Sequence, residues 1–268
     1  MGRTRISRLF ECLKAGGRTG LIAYITAGDP TPEQTPELVA ALERGGCDLI
    51  ELGVPFSDPI ADGPVIQRGS ERALRAGTTL RTVLDIARRI RETSDIPILL
   101  FTYINPVMHY GLDALAADAV RAGIDGCLLT DLSVEEAGPS TAAMQQQGLD
   151  TVFLAAPTST KRRLELVAKY SRGFIYLVSR TGVTGERDKL SDAVGPLVES
   201  MRAVTDLPLA VGFGISKAEH VRDVGRLADA VVVGSAFVRT IEEHAADPAP
   251  ALEALARELA AGLPSKGR

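Results

Sequence analysis

Asp48-Leu-Ile-Glu-Leu-Gly53 runs without a break into Val54-Pro-Phe-Ser-Asp-Pro-Ile-Ala-Asp-Gly-Pro64, and this join decides how the rest of the chain is read. The first piece is a short, nearly continuous apolar run, the pattern of a parallel strand buried on both faces. The second is a long loop rich in Pro, Gly and Asp. Long structured loops inside compact domains are mostly functional. A carboxylate, Glu51, sits at the end of the strand, and Asp58 and Asp62 follow in the loop.

Working outward, the same strand pattern recurs at 21–26, 97–103, 126–130, 150–155, 174–178, 208–212 and 229–233. With 48–53 that makes eight strands, each followed by a helix. Leu80, Val83, Leu84, Ala87 and Ile90 recur at a 3.6-residue period, as do Val194, Leu197, Val198, Met201 and Val204. Eight strand–helix units in 268 residues match the (β/α)8 TIM barrel, which typically takes about 250. A preceding helix at about 6–15 is expected to cover the barrel's bottom. Ser133 with Glu136 and Ser216 with Glu219 have capping-box spacing. Gly46-Cys-Asp48, Gly123-Ile-Asp125 and Gly148-Leu-Asp150 form a weak repeat where helices return to strands, with Gly at a helix-ending position. No Ser/Gly/Pro-rich linker intervenes, so residues 1–268 are expected to form a single domain. A doubly wound open sheet is the rival fold, but no glycine-rich dinucleotide fingerprint opens the first unit.

Composition narrows the function classes. Formal net charge is -4 with interspersed signs, which disfavours nucleic acid as a partner. No apolar run approaches the ~18 residues of a membrane span. Met1 to Lys14 has no apolar stretch of signal-peptide type, so the cytoplasm is expected. Cys12, Cys47 and Cys127 are an odd count without tight spacing, which argues against disulfides and zinc. Cys47 and Cys127 read as small core residues. His109, His220 and His244 suggest neither a metal site nor a histidine triad.

Barrel chemistry lies at the C-terminal ends of strands, and three stretches there stand out. Glu51 to Pro64 brings Glu51, Asp58 and Asp62 to one mouth. Ser179-Arg-Thr-Gly-Val-Thr-Gly-Glu-Arg187 brackets small hydroxyl residues with glycine, the composition of a segment able to close over a ligand. Gly212-Phe-Gly-Ile-Ser216 and Gly234-Ser235 follow the seventh and eighth strands, where barrels frequently hold phosphate on backbone N–H groups. Taken singly, each has a plain structural reading: a satisfied carboxylate with turn-capping aspartates, an exposed linker, and tight turns.

Taken together with Tyr24-Ile-Thr-Ala-Gly-Asp-Pro30, Ala61-Asp-Gly-Pro64, Ser179-Arg-Thr-Gly-Val-Thr-Gly185 and Gly212-Phe-Gly-Ile215, the Glu51–Pro59 stretch resembles the tryptophan synthase alpha chain family. The match runs in order from about Leu9 to Phe237. The resemblance implies retro-aldol cleavage of indole-3-glycerol phosphate to indole and glyceraldehyde 3-phosphate. It implies that Glu51 moves protons and that Asp62 binds the indole N–H. Gly185, Gly214, Gly234 and Ser235 would hold phosphate. Tyr24, Tyr103, Tyr176 and Thr184 would line the indole and the closing loop. Asp58 and Asp131 would serve communication with a beta chain, as an α2β2 tetramer. No cofactor is implied in this chain, pyridoxal phosphate being expected only in the beta partner. Thr130, Ser133 and Tyr24 depart from residues common in the family. A stand-alone indole-3-glycerol phosphate lyase releasing free indole is the alternative, and a scaffold that only activates beta is a third reading.

Overall fold

A computed structural model describes residues 3–178, 190–212 and 214–264. Helix α1 (Arg5–Ala15) precedes strand β1 (Gly20–Thr26), which is followed by α2 (Thr35–Arg44), β2 (Leu49–Gly53), α3 (Pro64–Arg75), α4 (Leu80–Arg91) and β3 (Ile98–Thr102). Then come α5 (Ile104–Tyr110), α6 (Leu112–Arg121), β4 (Gly126–Leu129), a 3₁₀ turn (Val134–Glu136), α7 (Gly138–Gln146), β5 (Asp150–Val152) and β6 (Leu154–Ala155). The last part holds α8 (Lys161–Tyr170), β7 (Ile175–Val178), α9 (Leu190–Arg202), β8 (Leu209–Gly212), α10 (Ala218–Gly225), β9 (Ala230–Val233), α11 (Ser235–Glu243) and α12 (Ala249–Ala260).

All strand pairs are parallel, in the order β5-β4-β3-β2-β1-β9-β8-β7-β6. β5 and β6 are two pieces of the one strand expected at 150–155, divided at Phe153. β5 pairs with β4, and β6 with β7, so this stave closes the ring. The eight expected staves are therefore present. Pro97 and Pro208 fall just outside β3 and β8, as residues without an N–H to give the ladder.

Alternate strand residues point inward. Ile22, Leu49, Leu99, Leu128, Val152, Ala210 and Val232 fill the barrel, and Ile6, Phe10 and Leu13 of α1 close its lower end as expected. The Phe10 and Phe174 rings meet at 5.5 Å. The outward residues pack under the helices, including the α4 stripe and Val194, Leu197, Val198 and Met201 of α9. Cys47 and Cys127 are buried there.

Gly46, Gly123 and Gly148 adopt the left-handed φ values 102°, 80° and 93°, which a side chain would disfavour. The aspartates after them grip the preceding stave or the first helix. Asp48 accepts from Leu21 N–H and Arg18, and Asp125 from Ile98 N–H, Arg5 and Arg91. Asp150 accepts from the Thr4 hydroxyl. Asp229, which has no such glycine, does the same for Leu209 N–H at 2.9 Å. Neither anticipated capping box forms. The Ser133 hydroxyl turns to Glu135, two residues away, and α10 is capped by Lys217, one residue after Ser216. The reciprocal box occurs instead between Thr79 and Thr82.

Candidate active site

Glu51 lies on β2 between Tyr24 of β1 and Leu99 of β3 in the ladder register. Its inward position follows from the alternation that puts Leu49 below it and Gly53 above. The side chain is fully buried, and among the described residues neither carboxylate oxygen has a hydrogen-bond partner. Burial therefore pushes its pKa up to about 8, because desolvation disfavours the charged form. At neutral pH Glu51 holds its proton.

Asp62 reaches the same mouth from the loop before α3. Tyr103, at the end of β3, donates its O–H to Asp62 Oδ2 at 3.0 Å and accepts from Ala61 N–H at 3.1 Å. Gln67, in the first turn of α3, donates to the Asp62 carbonyl at 2.9 Å. Phe56 packs its ring on Tyr103 at 5.1 Å, so three side chains fix the loop. Burial raises the Asp62 pKa to about 6, while the Tyr103 hydrogen bond pulls it back. Asp62 is accordingly ionised at neutral pH. Burial thus pushes both carboxyls toward the protonated form, Glu51 further than Asp62, whose Tyr103 hydrogen bond opposes the shift.

Tyr24 and Tyr176 complete the chamber. A Cβ on Gly53 would collide with the Tyr24 hydroxyl, and one on Gly212 with the Tyr176 hydroxyl. Glycine at those two positions lets each phenol lie across a neighbouring stave. Both phenol pKa values are raised by burial and by the nearby Glu51 and Asp62 carboxyls, so both acids lie within electrostatic reach of the same two rings. Phe101 meets the Tyr24 ring edge-on at 5.1 Å.

Beside β1, at the end of β9, Gly234 precedes the first turn of α11 and Ser235 opens it. A Cβ on Gly234 would stand 3.4 Å from the Tyr24 Cβ, which joins this loop to the chamber wall. Gly214 adopts φ +26° beside open space. The first N–H groups of a helix lack intrahelical partners and favour an anion.

The remaining assignments are placed less centrally or not at all. Thr184 and Gly185 lie outside the described residues, as does Arg180. Asp58 is exposed and accepts from the Ser57 hydroxyl at 2.6 Å. Asp131 accepts from Ile104 N–H at 2.7 Å and so holds the start of α5. Reading the sequence missed Gln67 and the aromatic support of Phe56. The Gln67 position, one turn into the helix after Asp62, was the available signal. Among the described residues no group of three His, Cys, Asp or Glu side chains is placed to hold a metal.

The ring of parallel strands, with a fully buried glutamate on β2 and an aspartate in the loop that follows it, defines a (β/α)8-barrel protein with two carboxyls at its C-terminal mouth. Residues 10–263 match the family model described as tryptophan synthase alpha chain. The tryptophan synthase alpha chain of Solibacter usitatus is 70% identical over 262 residues, spanning 97% of this chain and 98% of that one. The crystal structure of tryptophan synthase subunit alpha from Legionella pneumophila superposes with TM-score 0.90 at 38% identity, covering 97% and 98% of the two chains. A structure of Mycobacterium tuberculosis tryptophan synthase gives 0.89 at 40% identity, with the same coverage. The chain belongs to the tryptophan synthase alpha chain family. Its activity is the family's lyase reaction in tryptophan biosynthesis, cleavage of indole-3-glycerol phosphate. The free-indole alternative finds no support in these relatives.

Proposed function

We propose that Glu51 delivers the proton that starts this cleavage and that Asp62 stabilises the charge it creates. Protonation at indole C3 by Glu51 makes the ring cationic, with the positive charge shared by the ring N–H that Asp62 accepts. The C3–C3′ bond then breaks and its electron pair returns to the ring, releasing indole. The C3′ hydroxyl gives its proton to the Glu51 carboxylate and becomes the aldehyde of glyceraldehyde 3-phosphate, so the acid is regenerated. The observation that carries this reading is the placement of two carboxyls at one mouth, Glu51 fully buried on β2 and Asp62 held beside it by the Tyr103 hydroxyl. General acid catalysis of this kind contributes roughly 10²–10⁴-fold.

Gly214, Gly234 and Ser235, with Gly185, are the proposed phosphate site, and Tyr24, Tyr103, Tyr176 and Thr184 the residues around the indole and closing loop. A free helix N-terminus at Ser235, next to the chamber wall, supports that division of the substrate. The proposed partner is a beta chain, in an α2β2 tetramer, carrying the pyridoxal phosphate that this chain does not use. Supporting it are Ile60 and Met108, large apolar side chains 84% and 63% exposed. Ile60 borders a groove of about 270 Å³ together with Phe56 and Asp58. A single domain working in the cytoplasm completes the reading. Among the described residues no helix is long and apolar enough to cross a membrane.

Indole release and glycerol phosphate binding, measured on the same variants, test the assignment. Asp62→Asn is expected to lower turnover while leaving glycerol phosphate affinity intact, and Gly234→Asp to raise KM by adding a like charge to the phosphate loop. Glycerol phosphate binding unchanged by Gly234→Asp would place the phosphate elsewhere.

A further inference from the structure

One polar cluster outside the chamber joins the two segments proposed to hold the two ends of the substrate. Asp29, in the loop after β1, is fully buried. Arg72 on α3 donates to both of its oxygens, Nε to Oδ1 and Nη2 to Oδ2, each at 2.8 Å. The third arm, Nη1, donates to Glu242 of α11 at 2.9 Å. Arg68, one turn earlier, closes the cluster with a fork onto Glu242 at 2.8 and 2.9 Å. Two cations thus face two anions.

The backbone beneath is equally constrained. A Cβ on Gly69 would come within 2.9 Å of Val238 Cγ1 on α11 and 3.1 Å of Asp29 Oδ2. Glycine there lets α3 approach both. The same two helices bear the site at their beginnings. α3 starts two residues after Asp62 and holds the Asp62 carbonyl through Gln67, and α11 starts at Ser235 beside Gly234. A displacement of α3 along α11 would therefore change the separation of Asp62 from the phosphate loop.

We propose that Arg72 is a positioning residue for the cleavage, fixing α3 on α11 by spanning Asp29 and Glu242. The role rests on the assignment of Asp62 to the indole N–H. An arginine suits it because the planar fork sets direction as well as charge, which a lysine's single ammonium cannot. Small misplacements transmitted from outside the chemistry cost up to about 10²-fold in rate.

Arg72→Lys in the full chain keeps a cation beside Asp29 and removes the fork. The expected result is a kcat for indole release lower by about 10- to 100-fold, with glycerol phosphate affinity and KM little changed. The same substitution in an Asp62→Asn background should cost far less, because there is no carboxylate left to misplace. An equal fold-loss in both backgrounds would overturn the positioning role while leaving Asp62 in place. Wild-type turnover by Asp62→Asn alone would overturn the Asp62 assignment, and the Arg72 route with it. Should Arg72→Lys not fold, Glu242→Gln keeps the buried Asp29 fork and loosens only the α11 end. It is expected to lower kcat about threefold, in keeping with one weakened hydrogen-bond partner, and an unchanged kcat overturns the proposal.

Discussion

Asp125 at the lower end of the barrel and Glu51 at the upper end are both carboxyl groups withdrawn from water, yet they live in opposite company. Asp125 accepts from Arg5, Arg91 and the Ile98 N–H. Glu51 accepts from none of the described residues. The lower carboxylate is bound by two guanidinium groups and ties the first helix and α4 to the ring. The upper one is left with a proton it would ordinarily have lost. The same residue chemistry is spent on cohesion where partners are supplied and on reactivity where they are withheld.

The largest expected effect comes from removing the withheld proton. Glu51→Gln should lower indole turnover by roughly 10²–10⁴-fold without weakening the fold. Stability should respond to pH in a defined sense. Unfolded, Glu51 ionises near its ordinary 4.5, whereas the folded protein keeps the proton up to about 8. Folding therefore takes up a proton between those values. The Glu51 contribution is fully favourable below about 4.5 and is lost as pH rises to about 8. Urea unfolding at pH 5 and pH 8 should show that part of the slope missing from Glu51→Gln. An identical slope in parent and variant would mean that Glu51 is already ionised when folded, and the contrast with Asp125 would collapse.

Asp125→Ala breaks the other side of the comparison. It removes the carboxylate that Arg5, Arg91 and the Ile98 N–H share and should cost about 3 kcal/mol of stability, read from denaturant midpoints. Turnover per folded molecule should stay near the parent's. A turnover loss approaching that of Glu51→Gln would show that the lower face also shapes the chemistry. Tyr103→Phe probes the intermediate case, a carboxylate with one donor. Losing that donor should move the Asp62 pKa above about 6 and cost about 1 kcal/mol of transition-state stabilisation. A pH–rate series would show the acid limb moving upward, and an unmoved limb would detach Tyr103 from Asp62. Asp131→Ala should do least to the isolated chain, about 1 kcal/mol of stability through the start of α5, with kcat unchanged. If it nevertheless abolishes activation by a titrated beta chain, the communication role of Asp131 is sharpened.

The staves were legible because each is a short apolar run, and Glu51 was legible because it interrupts one at the end where barrels react. What surrounds Glu51 was not, since its isolation depends on Tyr24 and Leu99 arriving from neighbouring strands. Tyr103 meets Asp62 across 41 residues, and Arg72 meets Asp29 across 43. Pattern reading sees periods of two and 3.6, and neither encodes such pairings. Short-range signals also misled where a nearer competitor existed. Ser133 prefers Glu135 two residues away to the anticipated cap at Glu136. The division of the fifth stave at Phe153 likewise leaves an unbroken apolar run in the sequence.

The lower closure of the barrel carries a consequence for the making of the protein. Ile6, Phe10 and Leu13 seat against residues drawn from the whole ring, including Ala230 and Val232 on β9. During synthesis the first helix leaves the ribosome long before its seat exists, and some 200 further residues must be added at about 5–20 per second. For that interval Phe10 and its two aliphatic neighbours lack the β9 part of their seat. Helix α1 can complete its packing only once β9 has been made.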